Sequence, residues 1–109
     1  MPGVRAQRLR PPGLGPNGPA TNNTLDSVTA PGTGDVWAGG LGLDSGVFAS
    51  TLTEHWNGTS WTVVASPNVA GAFGTEVLGI SGRAGGPLFA VGDVHEQSGQ
   101  YHTFGMRGQ

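Results

Sequence analysis

Apolar and polar residues alternate along this chain in short bursts. They run from Leu25 to Ala30, Val36 to Gly39, Thr51 to Trp56 and Trp61 to Val64, then Val77 to Ser81, Leu88 to Val91 and Gln100 to Met106. A period of two puts successive side chains on opposite faces of an extended strand. No window carries apolar residues at three-and-four spacing without a Gly or Pro inside it, so no helix is expected. The breaks carry turn chemistry: "APGTGD" after the first burst, "GLGLDSG" after the second, and Asn57-Gly58, a pair that tolerates positive φ, inside "TLTEHWNGTSWTVV". The pattern predicts an all-β chain of short antiparallel strands.

Sliding the chain against itself by 52 residues uncovers a repeat without a gap. Leu25 falls on Val77, Val28 on Ile80, Thr29 on Ser81, Trp37 on Phe89, Ala38 on Ala90, Gly40 on Gly92 and Leu52 on Phe104. One copy is four strands, the second supplies three, and a four-stranded repeat of this length matches a propeller blade. The expected layout is a disordered Pro/Gly-rich tail over 1–23, a four-stranded blade-like repeat over 24–68 and a partial second one over 69–109. The tail holds almost no branched apolar residues, too few to offset an ordering entropy of about 1–2 kcal/mol per residue. Pro16-Asn17 in that tail stands 51 residues before Pro67-Asn68, like the end of an earlier copy.

The stretch "DVWAGGLGLDSGVFASTLTEHWNGTSWTVV" resembles a kelch-type blade. There a hydrophobic strand ends in a Gly-Gly pair, here Gly39-Gly40, and after a variable loop a third strand leads through a short turn into a Trp-bearing fourth, here Trp61. It is similar also to bacterial repeat proteins with recurring "DVWAVG" and "EHWNGTSW" blocks, which are commonly secreted. The resemblance covers about residues 24–109 and fades in the second copy, where Val91-Gly92 replaces the Gly-Gly pair and "YHTFGMRG" replaces "TLTEHWNG". It implies a propeller-type repeat module, with Gly39, Gly40, Asn57 and Gly58 as turn residues. Two incomplete blades do not close a ring, so the expected partners are further blades or another copy of the chain, with a protein or carbohydrate ligand beside them.

Composition narrows the chemistry. With 109 residues and 36% hydrophobic content the core must be thin. From residue 11 onward two Arg stand against all seven carboxylates, which offers no footprint for nucleic acid. No Cys and no Lys are present, excluding disulfides, thiolate metal sites, thiol catalysis and Schiff-base chemistry. The N-terminus is basic but lacks an apolar run to act as an export signal, and no stretch is long enough to span a membrane as a helix.

No catalytic constellation emerges: the Ser residues lack a nucleophile elbow, and the Gly-rich segments precede no helix that would make them phosphate loops. A non-enzymatic module without cofactor or metal is expected. The alternative is a piece of a carbohydrate-active propeller enzyme whose catalytic residues lie elsewhere. Adjacent strand residues point to opposite faces, so Glu54 and His55 do not converge on one ion, while His95-Glu96 sits in a loop. Period two instead groups Glu54 with Leu52 and Trp56 on a packed face, where a carboxylate needs hydrogen bonds or a ligand. Trp56 and Trp61 flank the hairpin turn. With Glu54 they are the candidate ligand-binding residues, as a cross-strand pair or as a ring platform for a sugar, with Trp61 the foremost. Asn22-Asn23-Thr24 and Asn57-Gly58-Thr59 match the glycosylation acceptor pattern, but the turn already accounts for the second.

Overall fold

The computed structural model describes residues 13–44 and 48–108. Of the tail expected over 1–23, residues 1–12 lie outside the described residues, as do residues 45–47 of the "GLGLDSG" break. Seven strands follow in chain order: β1 Asn22–Gly32, β2 Asp35–Asp44, β3 Phe48–Trp56, β4 Trp61–Val64, β5 Gly74–Ser81, β6 Leu88–His95 and β7 Tyr101–Gly108. They form a four-stranded sheet ordered β1-β2-β3-β4 and a three-stranded sheet ordered β5-β6-β7, with every pairing antiparallel. Among the described residues no helix is long and apolar enough to cross a membrane.

Strand pairing obeys the same 52-residue register as the sequence. Leu25↔Gly40, Val28↔Ala38 and Thr29↔Trp37 in the first sheet become Val77↔Gly92, Ile80↔Ala90 and Ser81↔Phe89 in the second. Ala38↔Glu54 and Val36↔Trp56 likewise become Ala90↔Met106 and Leu88↔Gly108. Even the irregularity recurs, between Leu25 and Ser27 in β1 and between Val77 and Gly79 in β5. A bulge inserts one residue and increases local twist, so its recurrence means that both sheets bend at the same place.

The bulge explains the glycine pair. Gly39 and Gly40, expected at a turn, sit in the middle of β2. A Cβ on Gly40 would fall on the Thr24 carbonyl oxygen, and one on Gly92 would fall on the carbonyl oxygen of Glu76, its counterpart. Backbone crowding at the bulge therefore demands glycine there in both copies. Gly39 serves another purpose: a Cβ there would stand 2.7 Å from Val77 Cγ1, so its bare backbone lets the second sheet approach. True turns lie at Gly34 (φ 72°) and Gly58 (φ 101°), where positive φ favours glycine. At the second of these Asn57 Oδ1 accepts hydrogen bonds from the Thr59 and Ser60 N–H groups, which holds the loop as the sequence predicts.

Several strands outrun their apolar bursts. β1 begins at Asn22 instead of Leu25, and β2 continues to Asp44, because backbone ladders extend through polar and glycine positions that carry no apolar signal. The segment before β1 is also placed on the protein: Asn23 Nδ2 donates to the Ala20 carbonyl at 2.9 Å, and Gly15 lies over the Glu54 carboxylate. Pro67, 52 residues after Gly15, lines a cleft together with Met106, the counterpart of Glu54. The segment before β1 thus takes on the first sheet the place that the β4–β5 linker takes on the second.

Candidate functional site

Alternation gives each sheet two faces, and the register states which are equivalent. In the first sheet Val28, Val36, Ala38, Leu52, Glu54, Trp56, Trp61 and Val63 share one face, called the front. Thr29, Trp37, Gly39, Thr51, Thr53 and His55 share the back. The second sheet packs its own front, including Val77, Ile80 and Ala90, against the back of the first. These three side chains form the core, with Trp37, Leu88, Phe104 and Met106 packed against it. The contact is front to back, so an equivalent front and an equivalent back are left over.

Hydroxyl groups fasten this contact. Ser27 Oγ accepts the Ile80 N–H at 3.0 Å, and Thr29 Oγ1 accepts the Gly82 N–H at 3.1 Å. The Thr51 N–H donates to Asn68 Oδ1 at 2.8 Å, and the Thr51 hydroxyl pairs with Ser66 Oγ at 2.8 Å, tying the linker to β3. The Ser27 and Thr29 bonds satisfy the Ile80 N–H in β5 and the Gly82 N–H just beyond it, groups that otherwise lose their water on stacking. Ser81 and Thr103 occupy the Thr29 and Thr51 positions of the second sheet, and both are exposed.

The leftover back face sets apolar side chains among polar ones, with Ser81, Asp93, Thr103 and Arg107 on the same face. Phe89 is 51% and Val91 56% exposed there, with Leu78 at the bulge and Tyr101 also open to solvent. Their counterparts Trp37 and Gly39 are covered by the second sheet. On the leftover front, Leu25 and Val28 are exposed, Val28 at 64%, whereas their counterparts Val77 and Ile80 are buried. Ala38, Leu52 and Glu54 of the same front are already buried, with the segment before β1 lying over Leu52 and Glu54.

The three predicted ligand residues do share the front face. Trp56 pairs with Trp61 across the hairpin, their ring centroids 5.7 Å apart and the planes tilted by 53°. The rings lean on each other and clamp the turn, an arrangement that contributes about 0.5–1.5 kcal/mol beyond area burial. Glu54 is 3% exposed, and burial pushes its carboxyl above the ordinary range. Among the described residues Gly15 comes over this carboxylate: a Cβ on it would stand 3.7 Å from Glu54 Oε1. Burial also raises the Glu76 carboxyl, assisted by a side-chain hydrogen bond with Asp93 and by the charges of Asp93 and Asp26.

A raised folded-state pKa means that the folded chain binds more protons than the unfolded one, so stability falls as pH rises from 4.5 through the folded value. Glu54→Gln, neutral and of the same size, is expected to raise the melting temperature at neutral pH. The gain should shrink below pH 4.5, where the unfolded carboxyl is protonated too. Thermal melts across that range check this, and a lower melting temperature for the variant at neutral pH would give Glu54 a charged partner it needs.

His55 lies on the back face. Its Nε2–H donates to Asp35 Oδ1 at 2.7 Å, and its ring stacks on Trp37 with centroids 4.4 Å apart. His102 pairs with Glu96 at 2.9 Å, while His95 stacks on Tyr101. Among the described residues no group of three or more His, Asp or Glu side chains is placed to hold a metal ion. Sequence reasoning missed the Ser27 and Thr29 clamps and the inequality of the faces. The register signals both, because it tells which face each residue shares once the stacking direction is known. No protein family model, curated protein or solved structure matches this chain.

Proposed function

We propose that the chain is a non-enzymatic β-repeat module of the propeller-blade type that works by assembly, its sheets stacking front to back with further copies of the repeat. The observation that carries this reading is the unequal fate of equivalent residues: Ile80 is buried and Val28 exposed, Trp37 covered and Phe89 exposed. A repeat unit buries its faces only by stacking on a neighbour, and each end face here keeps exposed apolar side chains, Leu25 and Val28 on the front and Phe89 and Val91 on the back. Ser81 and Thr103 keep two of the hydroxyl positions, while Gly79 stands at the position of Ser27. The contact is not an exact copy, since Val91 stands where Gly39 admits Val77, so an incoming Leu25 must sit beside it instead of over it.

Front-to-back contacts are heterologous, and they generate closed rings or open filaments according to whether the rotation per step closes. Light scattering across a concentration series is therefore expected to give masses above that of one chain. Val91→Asp, which places a charge in the back face, should return the protein to one chain per particle that still unfolds cooperatively, with a melting temperature that no longer rises with protein concentration. A wild-type protein that stays a single chain to its solubility limit would contradict the reading.

A further inference from the structure

We propose that the free edge of β7 is a strand-acceptor site, which takes an extended peptide segment with bulky apolar residues at alternate positions. The inference stands apart from face-to-back stacking, because it concerns a backbone edge and not a face.

Three observations converge on it. In the first sheet β4 completes β3 through Thr53↔Val64, Glu54↔Val63, His55↔Thr62 and Trp56↔Trp61. The register carries β3 residues 53–56 onto Gly105, Met106, Arg107 and Gly108, and the β6–β7 pairing agrees with it residue for residue. Among the described strands nothing pairs with that outer edge of β7. A row of unpaired N–H and C=O groups is a template for another strand.

The third observation is space. A cleft of about 350 Å³ opens beside this edge, bounded by Met106 and Gly108 on one side and by Val64, Ala65 and Pro67 on the other. In the first sheet Trp61 and Val63 project on the front face, beside Glu54. Their counterparts on a strand added to β7 would project on the front of the second sheet, beside Met106, and so into this cleft. The edge supplies hydrogen bonds, and the cleft accepts the alternate side chains. A strand of the β4 type, bulky at the first and third positions and small or polar at the second, meets both demands at once.

A twelve-residue peptide carrying residues 57–68, "NGTSWTVVASPN", is the probe. Added in excess to the full chain, it is expected to slow amide exchange between Gly105 and Gly108 by about tenfold or more, as pairing protects backbone N–H groups. The same peptide with proline in place of Thr62, whose N–H faces the partner strand in the β3–β4 register, loses a ladder donor and should give no protection. Using the Val91→Asp chain keeps adhesion to the back face out of the result. Absence of protection at β7, or equal protection by the proline peptide, would overturn the proposal.

Discussion

Gly40→Ala is expected to cost at least about 3 kcal/mol, beyond the usual range for an added methylene in a packed core. The reason is the identity of the obstacle. A Cβ at this position falls on the Thr24 carbonyl oxygen and comes within 2.8 Å of Leu25 Cα, and backbone atoms at a bulge have nowhere to go without breaking the β1–β2 ladder. Total stabilities of small domains are about 5–15 kcal/mol, so this one methyl group removes much of what holds a thin core. Gly92→Ala should behave alike, because Glu76 stands to it as Thr24 does to Gly40. Gly105 offers the contrast: a Cβ there would stand 3.8 Å from the Ala90 carbonyl oxygen, an ordinary contact. Gly105→Ala should therefore cost about 1 kcal/mol or less. Denaturant melts of the three variants check the ranking. Equal losses at all three would mean that the bulge is not what requires glycine.

Val77→Asp is expected to abolish cooperative folding. Val77 is 0% exposed and sits at the centre of the contact between the sheets, against Gly39. An aspartate there buries a carboxylate with no partner, which costs several kcal/mol, and it also removes the side chain around which Ile80 and Ala90 cluster. A three-stranded sheet parted from its packing partner has little else to stabilise it. The expected readout is a red-shifted tryptophan emission as Trp37 meets water, together with loss of a sharp melting transition. The outer-face control, Val91→Asp, changes the same residue type to the same charge at a position already half exposed, and should keep a sharp melting transition. A Val77→Asp protein that melts normally would show that the two sheets do not depend on each other.

Alternation along the strands made the all-β class, the hairpin at Asn57-Gly58 and the grouping of Glu54 with Trp56 legible from sequence, because each follows from local backbone geometry. The register of 52 was legible too, and the structure repeats it in strand pairing down to the bulges. Gly39-Gly40 was misread as a turn because two glycines in a row carry the same signal whether they break a strand or clear space for a neighbour. The space they clear belongs to Thr24 and Val77, and neither is adjacent in sequence. Trp37 and Phe89 occupy equivalent positions, yet only Trp37 packs against the core. Pattern assigns a residue to a face, whereas burial depends on what that face meets. The same distinction hid the Asp35–His55 contact and the hydroxyl clamps of Ser27 and Thr29, all of which join residues 20 or more positions apart.

The proposed assembly makes the two ends of the molecule different and complementary, so two disabled proteins should rescue each other. Val91→Asp disables the back of the second sheet and leaves the front of the first intact, while Val28→Asp does the reverse. Sedimentation velocity on each alone and on an equimolar mixture is the direct measurement. Front-to-back stacking predicts that each variant alone sediments as a single chain and that the mixture forms a two-chain species. A mixture that remains single chains, or a variant that still associates with itself, would contradict the account.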